Sequence, residues 1–128
     1  MRYYILLLLA LLVLSCGIVG PAEEWYVDLR SLSPVPEIYS EWHHEAEHCV
    51  NVLREFNDIR WFVAQSITID GVRGLGAFDS PRDIIIKRSQ LYTQSTVKHE
   101  LIHYIRQARD HDARINFCSH ATKEAPDG

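Results

Sequence analysis

An α+β fold is the class this sequence predicts, and three observations predict it. Apolar residues recur at helical spacing between Ile38 and Phe56. Between Ile59 and Arg88, β-branched and aromatic runs are cut by turn pairs such as Asp70-Gly71. A second helical stripe follows between Val97 and Ala108. The length of 128 residues suits one domain. Hydrophobic residues make up 47% and charged residues 23%, as in ordinary globular chains. A net charge of -4 leaves no basic field for nucleic acid, so no such partner is expected.

The chain opens with Met1-Arg2-Tyr3-Tyr4, an apolar run from Ile5 to Leu14, and Ser15-Cys16-Gly17. A positive start, a short apolar segment and a small residue before a cut describe a signal peptide over residues 1–15. The run is too short for a spanning helix, which needs about 20 apolar residues. Val13-Leu14-Ser15-Cys16 resembles the lipobox of bacterial lipoproteins, a likeness that implies cleavage before Cys16 and diacylglycerol on its sulfur. The expected location is then the cell envelope, membrane-anchored on the periplasmic or extracellular face. An ordinary signal peptide, cut a few residues further on, is the alternative.

Residues 16–36 hold Gly, three Pro, Ser and acidic residues and read as a tether and lead-in. Trp25, Tyr26, Val27 and Leu29 are placed to form a short strand or to pack on the core. The domain proper is expected over 37–128. A helix should start near Pro34–Glu37, with Ser33 as cap and Pro in the first turn. Its stripe is Ile38, Trp42, Ala46, Cys49, Leu53 and Phe56. Ile59 to Ile69 reads as a strand, Asp70-Gly71 as a turn and Leu75–Phe78 as a short strand. Asp79-Ser80-Pro81 reads as a turn and Asp83–Arg88 as a further strand. Short turns predict a small, mainly antiparallel sheet.

A helix from about Thr93 to Ala108 follows. Val97, Leu101, Tyr104, Ile105 and Ala108 form its core stripe. At about 100° per residue, His99 and His103 lie one turn apart on nearly the opposite side.

Without Cys16, two cysteines remain, Cys49 and Cys118. In an exported protein an even pair reads as one disulfide. It would close a loop of about 70 residues, worth roughly 4 kcal/mol in the chain-entropy model. Two free buried thiols, or zinc ligands, are the alternatives.

The chemistry-bearing stretch is His99-Glu100-Leu101-Ile102-His103. Two histidines four apart on one helix aim ring nitrogens at one point, two of the three protein ligands a catalytic zinc needs. A Glu directly after the first His is placed to take a proton from water held at the zinc and to pass it to a leaving amine. This is the H-E-x-x-H pattern. For the third ligand, a metzincin needs Gly where Arg106 stands and His where Arg109 stands, and it needs a Met-turn, while the only Met is Met1. Glu124 sits in a short polar tail. His111, in Arg109-Asp110-His111-Asp112 just past the helix end, is the better candidate, with Asp112 and His120 as alternatives.

His99-Glu100-Leu101-Ile102-His103, then His111 and Phe117-Cys118, resembles the small zincins, and more distantly SprT-like metallopeptidases. The pattern more closely resembles compact exported bacterial zincins, in which a W-x-x-E-x-E-x-C helix precedes an R-W strand. Here those elements are Trp42 to Cys49, with Glu45 and Glu47, and then Arg60-Trp61. The likeness covers about residues 40–120. It implies a zincin-like fold, Zn2+ held by His99, His103 and His111, Glu100 as general base, and a Cys49–Cys118 pair.

Further candidates are weaker. His44 and His48 are four apart beside Glu41, Glu45 and Glu47 and read as a solvated face rather than a second metal site. Glu47 is a candidate partner for a zinc-binding His. Ile84-Ile85-Ile86 reads either as an edge strand that aligns a peptide or as a buried strand. Phe78 and the Gly74/Gly76 segment are candidates for the cleft rim. Tyr92, Tyr104, Arg114 and His120 are candidates to stabilise an oxyanion. The expected function is a monomeric exported zinc metallopeptidase acting on protein or peptide. An inactive envelope-binding module on the same fold and a zinc-dependent cell-wall amide hydrolase are its rivals.

Overall fold

The structure is a computed structural model and describes residues 23–121. The signal peptide, the Cys16 lipidation site and Glu124 lie outside the described residues. No described helix is long and apolar enough to cross a membrane.

The described fold is α+β. The lead-in carries two strands, β1 (Glu24–Val27) and β2 (Arg30–Ser31), in line with the short strand expected around Trp25. Helix α1 spans Ile38–Val50. It starts later than Ser33 predicts and ends earlier than its apolar stripe predicts. Asn51 takes a left-handed conformation (φ 57°) and its N–H bonds back to Glu47 O. Asn tolerates that conformation, so it stops the helix. Leu53, placed on the stripe by spacing, is therefore off the helix and 84% exposed. Phe56 lies in a 3-10 turn (Phe56–Asp58) yet still packs on the core.

The expected single strand over 59–69 is two: β3 (Arg60–Ala64) and β4 (Ser66–Ile69). The chain leaves one sheet for another at exposed Gln65, whose N–H bonds to Val27 O at 2.8 Å. Asp70 and Gly71 (φ 50° and 78°) then turn the chain from β4 into β5 (Val72–Gly74), the two-residue hairpin such a pair favours. Strands β6 (Gly76–Asp79) and β7 (Asp83–Lys87) follow. A small antiparallel sheet has the order β1-β4-β5, and a four-stranded sheet the order β2-β3-β7-β6.

One pair departs from the antiparallel expectation: β3 and β7 run parallel, Trp61 beside Ile84 and Val63 beside Ile86. This puts Ile84-Ile85-Ile86 in the middle of the sheet rather than at its edge. Both faces of β7 are covered. Ile84 and Ile86 face the helices with Trp61, and Ile85 faces the small sheet with Ala64, Ile67 and Ala77. An unbroken apolar run is what a strand buried on both sides requires. The free edge next to β7 belongs to β6.

Helix α2 (Gln94–Arg106) and helix α3 (Ala113–His120) complete the fold. The sequence reading contains no α3, because its buried residues are only Ile115, Cys118 and Ser119, too few to show a period. A disulfide joins Cys49 on α1 to Cys118 on α3 with Cα atoms 5.8 Å apart, as parity of the cysteines predicts. A buried ion pair adds a second tie: Lys98 on α2 meets Glu45 on α1 at 3.0 Å and also donates to Ala121 O.

Candidate metal centre

Helix α2 is held on every side but one. Val97, Leu101, Ile102 and Ile105 are fully buried, and Lys98 is pinned by Glu45. These anchors set the rotation of the helix and leave Thr96, His99, Glu100 and His103 in the wall of a cavity of about 590 Å³. The facing walls come from Leu75 to Phe78 in and before β6, from Glu24 and Ile69 of the small sheet, and from Ser119 and His120 of α3.

Three imidazoles meet there. His99 Nε2 lies 3.1 Å from His103 Nε2 and 3.1 Å from His111 Nε2. The ring centroids form a near-equilateral triangle with sides of 4.7, 5.0 and 4.8 Å. One nitrogen from each ring lies within 4.8 Å of the others. Three nitrogens bound to one tetrahedral zinc are roughly 3.3 Å apart, so the arrangement fits such an ion. The protonation states agree. His103 Nδ1 donates to Ala108 O at 2.7 Å, which leaves the Nε2 lone pair directed at the other two rings. Burial, then the like charges of His103, His111 and His120, pushes His99 down to about 4. Burial also lowers His103, against the pull of its bond to Ala108 O. Both depressed histidines suit a metal ion, which needs neutral imidazole. Among the described residues, no other group of three His, Cys, Asp or Glu side chains comes together in this way.

His111 reaches the centre because the chain reverses at once. Gln107 takes φ 52°, and Ala108 N–H bonds back to His103 O at 3.2 Å. The return loop is pinned. Arg106 holds Asp110 at 3.5 Å and Asp112 at 3.2 Å. Asp112 Oδ1 accepts from Ile115 N–H at 3.1 Å and so caps α3. Asp112, an alternative third ligand by sequence, thus has a structural occupation. Its carboxyl is held low by that backbone bond first and then by Arg106.

Glu100 is buried against β6. A Cβ on Gly76 would lie 2.8 Å from Glu100 Cγ and 2.9 Å from Oε1, so only glycine leaves room for the carboxyl. Burial raises Glu100 to about 8, with Arg109 pulling the other way. Arg109 bridges Glu24 (3.1 Å) and Asp79 (2.9 Å), tying the His111 loop to both sheets. Tyr26 OH donates to the other oxygen of Glu24 at 2.8 Å.

The structure therefore brings together His99, Glu100, His103 and His111, with His120 in the same cavity wall. It separates other sequence candidates from them. Tyr104 OH donates to Glu55 O, on the core side. Tyr92 is 76% exposed, and neither it nor Arg114 lines the cavity. Glu47 serves no cavity histidine. It meets His43 Nδ1 at 3.3 Å and accepts from Arg54 N–H at 2.9 Å. His44 and His48 are exposed. Phe78 and Gly76 line the cavity as expected, whereas Gly74 does not. Sequence reasoning missed Arg109 and the packing role of Gly76. A glycine near the start of a strand was visible, but the carboxyl against it was not.

Comparison with family models, with curated proteins and with solved structures finds no match.

Proposed function

We propose that this chain is an exported, zincin-like zinc metallopeptidase. The observation that carries the reading is the meeting of three imidazole donors beside Glu100 in one cavity. His99, His103 and His111 would hold the ion. Zinc bound there supplies a Lewis acid that lowers the pKa of water and polarises a carbonyl. Glu100 acts as general base and then general acid, taking a proton from the attacking water and delivering it to the leaving nitrogen. Glu24, the other glutamate in the cavity wall, is committed to Arg109 and Tyr26, which leaves Glu100 for this role. Strand β6 is an edge of its sheet and lines the cavity, so an extended peptide can add to it through main-chain hydrogen bonds. The open edge favours peptide as the substrate class.

The test is metal content, then hydrolysis. The chain from residue 17 onward, purified without a histidine tag, is expected to carry about one zinc by plasma mass spectrometry. His99→Ala should abolish binding and His111→Ala weaken it. Glu100→Gln should keep zinc and lose casein hydrolysis. Wild-type protein that takes up no zinc on reconstitution would overturn the reading.

A further inference from the structure

The two faces of the small sheet are unlike. Glu24, Tyr26, Ile67 and Ile69 point inward: Glu24 and Ile69 line the cavity, and Ile67 is 1% exposed. The register places Trp25 beside Thr68 and Thr68 beside Arg73, with Val27 beside Ser66, all on the other face. Among the described residues, nothing packs on that outer face. Trp25 is 65% exposed and Val27 53%, and Leu29 just beyond them is 45% exposed. The five side chains of this face include one cation, Arg73, and no carboxylate.

We propose that this outer face seats on an anionic lipid bilayer. The occupant follows from the chain itself. Strand β1 begins at Glu24, eight positions after Cys16 and ten after the apolar run that ends at Leu14. At about 3.5 Å per residue, a chain held in a membrane at Cys16 keeps β1 within roughly 28 Å of it. An exposed Trp beside aliphatic side chains and an arginine suits the headgroup boundary, where Trp concentrates and cations meet anionic lipid. Strand β1 would then touch lipid through Trp25 and Val27 while its other face closes the cavity through Glu24. The choice of a membrane rests on the export reading and not on the metal chemistry.

The chain from residue 17 onward holds the whole described core and the disulfide, so it can be tested without its anchor. It is mixed with vesicles of phosphatidylcholine and phosphatidylglycerol and followed by sedimentation and tryptophan emission. Trp42 and Trp61 are 8% and 5% exposed, so a change in emission reports Trp25. The expected result is a blue shift, quenching by brominated phosphatidylcholine, and partitioning that falls about tenfold or more in Trp25→Ser/Val27→Ser. Arg73→Glu, which removes no apolar area, should weaken binding with the fold intact by thermal melting. Absence of partitioning in the wild type, or equal partitioning in both variants, overturns the proposal. So does a concentration-dependent dimer that Trp25→Ser abolishes, which would assign the face to a second copy. Zinc content and peptidase activity do not enter these readouts. The mass of the full chain shows separately whether Cys16 is acylated.

Discussion

Gly76 and Glu100 are packed so closely that no side chain fits between them: a Cβ at residue 76 would sit 2.8 Å from Glu100 Cγ. The edge strand and the carboxyl of helix α2 are therefore placed by one contact. Gly76→Ala is expected to displace the carboxyl while leaving the three imidazoles in place. Peptide hydrolysis should fall on the order of a hundredfold. Zinc should remain near one per chain, as checked by kcat/KM beside metal analysis. Loss of zinc together with activity would show that the contact supports the fold of the centre and not the carboxyl alone.

Asp112→Ala separates a cap from a ligand. Loss of the bond from Ile115 N–H should cost about 1 kcal/mol of stability, read from denaturant unfolding. Zinc affinity should be nearly unchanged, whereas His111→Ala should lower it strongly. The reverse ranking would move the third ligand to Asp112.

The Cys49–Cys118 bridge closes a loop with a sequence separation of 69 and anchors α3, which carries His120. Its removal in Cys49→Ala/Cys118→Ala should cost about 4 kcal/mol. Chemical denaturation of the metal-free protein measures it. A cost under about 1 kcal/mol would mean that the helices hold α3 without the bridge.

Glu100 sets a pH dependence in the metal-free protein. Its carboxyl titrates at about 8 when folded and at 4.5 as its ordinary value. Between those pH values the folded chain binds the extra proton, so stability is full below pH 4.5 and is lost as pH rises toward 8. Glu100→Gln removes this term. The variant should gain on wild type across that window, by on the order of a few kcal/mol at pH 8. Melting curves of both proteins in chelator, from pH 4.5 to 8, decide it. A constant difference would place the carboxyl in contact with water.

On the acid side, the buried histidines act in the opposite sense. His43, packed against Phe56 at 5.3 Å, is pushed below its ordinary value of 6.5, chiefly by burial. A depressed histidine lets the unfolded chain bind the proton first, so stability is lost as pH falls below 6.5. His43→Gln should reduce that loss relative to wild type, as measured by unfolding at pH 5 and at pH 7.

Much of the centre was legible in the one-dimensional pattern, because its parts are local. His99, Glu100 and His103 share one helix, whose period alone puts them on one face. His111 was legible as a histidine just past the helix end. The disulfide was legible from the count of cysteines. Less of the architecture was. The break at Gln65, the parallel pairing of β3 with β7 and the position of β6 at the edge depend on which strands meet, and strand pairing is non-local. Helix α3 was hidden because two tethers, Cys118 and the cap at Asp112, hold it more than an apolar stripe does. Glu47, read as part of a solvated face with His44 and His48, instead meets His43, which Phe56 buries from beyond the helix end.

The sequence by itself determined two of the donors: a helical period of 3.6 makes His99 and His103 neighbours wherever the helix lies. Only the tertiary structure decided what surrounds those donors. It turned the chain at Gln107 so that His111 closes the triangle, and it set Gly76 against Glu100. It also placed β6, not the Ile84–Ile86 run, along the open side of the cavity. Such placements follow from the packing of segments distant in the chain, and no local spacing encodes them.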